Sequence, residues 1–191
     1  MSRRPRHLLV AAALAALAAC GGGDDGTEGA DATPTATPTP CASAPPTPET
    51  TVSDDLAVEP DIEVADAQPP CDLVVRDVVV GTGEPAVEGA QAQVKYVVAY
   101  YDTGDVIDSS WRTGPDHTLP VQVGAGNLIE GFDRGVVGMR EGGRRELVVP
   151  YELGYGAEGS GPVPPYATLV FVVDLVSVTP PDDAGSSTPA G

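Results

Sequence analysis

Histidine is nearly absent from this chain, whose 191 residues include only His7 and His117. Nucleophilic catalysis of the Ser-His-Asp or Cys-His kind needs a histidine as the base. His7 lies in an N-terminal stretch typical of a cleavable leader, so His117 would have to act alone. It stands between Asp116 and Thr118, as a solvated loop histidine would. The sequence therefore argues against covalent nucleophilic catalysis.

Positive charge is also scarce, because the chain has only 10 Lys and Arg residues but 28 Asp and Glu, which gives a formal net charge of -18. A protein that neutralises phosphates needs a basic surface, so we expect no nucleic-acid partner. The acidic residues Asp102, Asp105 and Asp108 are spaced three apart, which fits neither an EF-hand loop nor a helical pair of ligands. Gly124-Ala125-Gly126 lacks the third glycine of a dinucleotide-binding motif. We expect neither a metal nor a cofactor.

Long hydrophobic runs are missing except for one from Leu8 to Ala19, which follows three arginines and is too short to span a bilayer. The run ends in Leu17-Ala18-Ala19-Cys20, which resembles the bacterial lipobox, whose cysteine thiol takes a lipid. We therefore predict a lipoprotein signal peptide over residues 1–20 and a lipid anchor on Cys20. The expected location is the extracytoplasmic face of the cell membrane. An ordinary secretory signal with an incidental cysteine is the alternative.

Cysteine is limited to three residues, so only Cys41 and Cys71 could form a disulfide once Cys20 carries a lipid. Exported proteins enter a compartment in which disulfides persist. Pairing of Cys41 with Cys71 is one outcome and two free thiols is the other. The sequence leaves this choice open.

Two segments lack the apolar residues needed for a core. Residues 21–70 contain no Lys or Arg, eleven Asp or Glu, and a Thr/Pro run from Thr33 to Pro40. This composition predicts a disordered stalk. We predict a disordered tail over residues 180–191. The foldable domain would then occupy residues 71–179.

The remaining segment predicts an α+β domain with an antiparallel β-sheet around one short amphipathic helix. Apolar residues recur at three- and four-residue spacing only at Ile129, Phe132, Val136 and Val137, which indicates the helix. Runs rich in β-branched residues and bounded by turn residues indicate the strands. These runs are Leu73–Val75, Val78–Val80, Gln93–Tyr101, Val106–Ile107, Val121–Val123, Glu146–Val149 and Thr168–Val178.

Six short motifs follow one another between Leu73 and Val178. Their order and spacing resemble the FKBP family, prolyl isomerases that bind the macrolide tacrolimus. The resemblance implies the fold just described and peptidyl-prolyl cis/trans isomerase activity without a cofactor. The motifs are Val94-Lys95-Tyr96, Val106-Ile107-Asp108-Ser109-Ser110, Leu128-Ile129-Glu130-Gly131-Phe132, Gly138–Arg145, Tyr155-Gly156-Ala157 and Pro164–Phe171.

The resemblance also implies a proline pocket with catalytic residues Asp108, Tyr155 and Tyr96. The Tyr155 hydroxyl and the Ile129 backbone N–H would hold substrate carbonyls, and Asp108 would lie near the rotating amide. The substrate-binding residues would be Ile107, Leu119, Leu128, Ile129, Phe132, Val163 and Phe171.

The chain departs from the family pattern at four positions. Ile107 and Leu119 stand where phenylalanine is common, Phe132 replaces a frequent tryptophan, and Ser160 replaces a loop histidine. The segment from Tyr155 to Pro164 is one residue shorter than in well-known members. These departures predict a pocket that is less aromatic.

The implied partners are proline-containing exported polypeptides, the membrane through the lipid anchor, and macrolides such as tacrolimus. Folding of exported proteins at the cell surface is the function that we predict. One alternative is a non-catalytic chaperone module that binds proline peptides in the same cleft. A surface antigen whose useful part is the stalk is another.

Overall fold

The computed structural model describes residues 36–43, 52–63 and 67–181. The predicted signal peptide, Cys20, most of the predicted stalk and residues 182–191 of the predicted tail lie outside the described residues. Within them, no helix has the length and apolar character needed to cross a bilayer.

A six-stranded antiparallel sheet forms the domain, and its strands begin and end inside the predicted range 71–179. The strands are β1 Val74–Val79, β2 Gln91–Tyr100, β3 Val106–Ser109, β4 Leu119–Gln122, β5 Gly143–Val149 and β6 Leu169–Thr179. Valine-rich segments account for most of them, because β-branched side chains fit a pleated, packed surface. Five strands lie in the order β1-β5-β6-β2-β3, and β4 pairs with β2 beside β3.

The one α-helix among the described residues, α1, spans Glu130–Val136 and lies against β5. Glycine makes this close packing possible. A Cβ added at Gly131 would lie 2.4 Å from Val149 Cγ1, and one at Gly135 would lie 2.6 Å from both Leu147 methyl carbons. The predicted sheet around a single short helix is therefore correct, and the glycines that weaken helix propensity serve the packing.

The sheet is covered on both faces. One face packs against α1 through a core that includes Phe132, Leu147 and Phe171. The other carries a second core of Val97, Val148, Val172 and their neighbours, to which residues 52–63 contribute Ile62, only 5% exposed. Every residue of β5 is buried as a result.

Residues 52–63, which we call the strap, fall inside the range predicted to be a disordered stalk. The Arg144 side chain donates from Nη1 to the carbonyls of Ser53 and Asp55, at 2.7 and 3.1 Å, and from Nη2 to that of Val58 at 3.0 Å. These three hydrogen bonds attach the strap to the folded domain. The composition of the strap is typical of disordered chain, but composition does not show that an arginine elsewhere in the chain binds the strap backbone.

A disulfide joins Cys41 to Cys71, with a Cα–Cα distance of 5.0 Å. Of the two outcomes that the sequence allowed, the structure has the paired one. Ala42 N–H donates to the Pro69 carbonyl at 2.8 Å, and Cys71 N–H donates to the Ala42 carbonyl at 3.2 Å. The bridge therefore fixes residues near position 41 beside the start of the domain.

Candidate functional site

A cavity of about 340 Å³ opens between the sheet and the start of α1. Its walls come from β2, β3, β4, β6, the segment entering α1 and the loop that precedes β6. All ten residues predicted to form a proline pocket line it, and the chemical roles assigned to them stay predictions. The lining residues are Tyr96, Val98, Ile107, Asp108, Leu119, Leu128, Ile129, Phe132, Tyr155, Ser160, Gly161, Pro162, Val163, Leu169 and Phe171.

The two phenylalanines of the chain form part of the cavity wall. The Phe132 and Phe171 rings meet edge to face, with centroids 5.6 Å apart and an interplanar angle of 72°. Both side chains belong to the core between α1 and the sheet. Since the same packing that stabilises the domain shapes the cavity wall, the wall is held in place before any ligand binds.

A tyrosine and a carboxylate form the polar edge of the cavity. The Tyr96 hydroxyl donates to Asp108 Oδ2 at 2.6 Å, and the Ser109 backbone N–H donates to Asp108 Oδ1 at 2.8 Å. Burial, the hydrogen bond to Asp108 and the negative charge of that carboxylate together raise the pKa of Tyr96 to about 12. The Tyr96 phenol is therefore protonated at neutral pH and keeps donating to Asp108.

Arg112 holds the short strand β3, which carries Ile107 and Asp108. The guanidinium donates to the Ile107 carbonyl at 3.0 Å and to the Val106 carbonyl at 3.1 Å. The next residue, Ser109, pairs with Val97 of β2. These contacts fix the backbone that carries the cavity's carboxylate.

The loop that precedes β6 forms one side of the cavity. Glycines at 156, 159 and 161 have positive φ angles, which lets the loop turn sharply. A Cβ at Gly159 would lie 2.3 Å from the Val163 carbonyl oxygen, so no other residue fits there. The Tyr100 hydroxyl donates to the Pro162 carbonyl at 2.6 Å and ties the loop to β2.

The segment that enters α1 is fixed by a buried aspartate. Asp133 accepts a hydrogen bond from the Gly126 backbone N–H at 2.6 Å. Ile129 has extended backbone angles at the N-cap, and its carbonyl accepts from Phe132 N–H and Asp133 N–H. Ile129 and Leu128 are thereby held on the rim of the cavity.

Sequence reasoning did not assign Val98 and Leu169 to the cavity. Each lies two residues from a predicted pocket residue on the same strand, Val98 from Tyr96 and Leu169 from Phe171. Side chains two apart in a strand point to the same face, so this period could have identified both. Within the described ranges, no three His, Cys, Asp or Glu side chains are placed to hold a metal ion.

Comparison with known proteins identifies this architecture. A family model described as FKBP-type peptidyl-prolyl cis-trans isomerase matches residues 82–176. The FK506-binding protein of Streptomyces anulatus is 43% identical over 122 residues, which cover 63% of this chain and 97% of that protein. The chain belongs to the FKBP family. The probable FK506-binding protein of Corynebacterium glutamicum is 42% identical over 119 residues, which cover 62% of this chain and 98% of that protein.

A solved structure and a yeast relative agree with the FKBP assignment. The crystal structure of AtFKBP13 matches with a TM-score of 0.52 at 32% identity, and the match covers 58% of this chain and 96% of the AtFKBP13 chain. The yeast peptidyl-prolyl cis-trans isomerase FPR2, from Saccharomyces cerevisiae, is 40% identical over 94 residues, or 49% of this chain and 68% of that protein. This FKBP is a peptidyl-prolyl cis-trans isomerase, as the sequence motifs predicted.

Proposed function

We propose that the cavity is the isomerase site of this FKBP and that the enzyme assists the folding of exported, proline-containing polypeptides. The observation that carries the first part is the convergence of all ten predicted residues on one apolar cavity with the Tyr96–Asp108 pair at its edge. The second part rests on the predicted signal peptide and lipobox.

The chemistry suits a preorganised, mostly apolar cavity. Rotation about an X-Pro bond breaks no covalent bond, and amide resonance accounts for its barrier of roughly 18–20 kcal/mol. A wall formed by Phe132 and Phe171 removes water from the amide, which favours the twisted form over the planar one. Tyr155 and the Ile129 N–H would hold the substrate carbonyls, and Asp108 would face the rotating amide.

Removal of the polar groups at the cavity edge tests the site. We expect Tyr155→Phe and Asp108→Asn each to lower kcat/KM for a prolyl peptide by about tenfold, the loss that corresponds to one hydrogen bond of roughly 1.4 kcal/mol in the transition state. Melting temperatures are measured in parallel. Tyr151→Phe is the matched control, because Tyr151 does not line the cavity and packs against Tyr166.

The control variant should retain the parent efficiency. Full activity in both edge variants would place the isomerase site elsewhere.

The relatives are named as FK506-binding proteins, and we propose that tacrolimus binds the same cavity of this chain. The macrolide should then inhibit the parent enzyme in competition with the peptide.

We also propose that Cys20 is lipidated and anchors the enzyme at the extracytoplasmic face of the membrane. The short apolar run and the tetrapeptide Leu17–Cys20 support this proposal. Stable attachment takes more than one acyl chain, as bacterial lipoproteins carry. We expect the native protein in the membrane fraction with a mature N-terminus at a lipid-bearing Cys20.

Mass spectrometry of the mature N-terminus and fractionation of Cys20→Ser check this expectation. Cys20→Ser should move the enzyme from the membrane to the soluble fraction without loss of isomerase activity. A mature N-terminus at another residue, or an unmodified Cys20 in a soluble protein, contradicts the anchor.

A further inference from the structure

The strap places a carboxylate against the strand that carries Asp108. Glu59 Oε1 lies 2.5 Å from Ser109 Oγ. The Ser109 hydroxyl oxygen accepts the Trp111 backbone N–H at 3.2 Å, which leaves its proton for Glu59. Ser109 is only 3% exposed, whereas Glu59 reaches it from the surface. A hydroxyl-to-carboxylate bond is charge-assisted and stronger than a neutral one.

Ser109 in turn holds the carboxylate at the cavity edge. Its backbone N–H donates to Asp108 Oδ1, while Tyr96 donates to Asp108 Oδ2. Each oxygen of this carboxylate therefore has one protein donor, and one of the two donors belongs to Ser109. A shift of Ser109 would rotate or release Asp108 on that side.

The segment around Glu59 is anchored on both sides. The Val58 carbonyl accepts from Arg144 Nη2 at 3.0 Å, and Pro60, which has a fixed φ angle, is buried. Two residues further on, Ile62 enters the core on the sheet face opposite α1. The backbone on both sides of Glu59 is therefore held in place.

We propose that Glu59 is a positioning residue of the isomerase site, which orients the Asp108 carboxylate by holding Ser109. This inference rests on the proposed assignment of the cavity as that site. Glu59 lies outside residues 82–176, the part that the family model matches. The residue that would position Asp108 therefore precedes the region that the family model matches.

Steady-state isomerase kinetics of the full-length chain test the proposal with three strap variants. Glu59→Ala should lower kcat/KM by about three- to tenfold, mainly in kcat, which is the range expected for one hydrogen bond. Glu59→Gln keeps an oxygen that accepts from Ser109 and should stay within about twofold of the parent. Asp61→Ala removes a charge from an exposed position of the same strap and should leave the kinetics unchanged.

Ser109→Ala removes the same contact from the other partner and should reproduce the loss if Glu59→Ala folds poorly. In an Asp108→Asn background, Glu59→Ala should cause no further loss. Equal losses in Glu59→Gln and Glu59→Ala, or a full additional loss in the Asp108→Asn background, would overturn the positioning role.

The two proposals fail in different variants. If Asp108→Asn and Tyr155→Phe both keep full activity, the assignment of the site to the cavity edge fails. If Asp108→Asn loses activity but Glu59→Ala and Ser109→Ala do not, the site stands and the positioning role of Glu59 is refuted.

Discussion

Replacement of Arg144 by alanine is expected to lower the free energy of unfolding by about 3–5 kcal/mol, the loss typical of breaking a buried ion pair from one side. Arg144 is 0% exposed and contacts Asp174 through Nε and Nη2, at 2.5 and 2.7 Å. The variant leaves the Asp174 charge buried without its partner. It also removes the donor for three strap carbonyls.

Urea denaturation followed by the fluorescence of Trp111, the only tryptophan, measures this loss. Trp111 packs against the core to which the strap contributes, so its emission reports on this face of the sheet. Arg134→Ala is the control, because it breaks an exposed pair with Glu130 and should cost no more than about 0.5 kcal/mol. A loss as small as the control's would mean that the strap and Asp174 do not depend on Arg144.

Phe132→Ala is expected to destabilise the domain by about 3–5 kcal/mol and to abolish most of the isomerase activity. The side chain is 3% exposed, and its removal leaves a hole between α1 and the sheet. The same ring forms part of the cavity wall with Phe171. Stability and catalysis should therefore fall together.

Phe132→Leu separates the two effects. Leucine fills most of the space but loses the edge-to-face contact with Phe171, which is worth roughly 0.5–1.5 kcal/mol. Chemical denaturation and peptide kinetics on both variants should show a folded Phe132→Leu enzyme with reduced efficiency. An alanine variant as stable as the leucine variant would show that the core closes over the missing ring.

Much of the fold and cavity follows from local patterns in the sequence. The run of valines and aromatic residues in β2 and β6, and the spacing of Ile129, Phe132 and Val136, give the strands and the helix. The cavity residues follow from short motifs, since each motif occupies one element and the family resemblance relates the elements to one another. Both kinds of signal lie within a few neighbouring residues.

The strap could not be predicted in this way. Its acidic, proline-containing sequence has the composition of disordered chain, and its order depends on Arg144, which lies far along the chain. Charged residues in a strand usually mark the solvent face, yet Arg144, Glu146 and Asp174 are all buried. No secondary-structure propensity or hydrophobic period indicates that the strap covers this face of the sheet. For the same reason, the sequence does not indicate the role of Glu59.

The central position of β6 has a consequence for how the protein is made. β6 is the last of the six strands of the sheet along the chain, yet it lies in the middle of the sheet between β5 and β2, with pairs that join Gln91 to Thr179 and Tyr100 to Leu169. Such distant pairings slow folding, because a long loop must close before they form. During synthesis β2 and β5 therefore have no partner on the edges that later pair with β6, and the sheet can be completed only after residue 179 has left the ribosome.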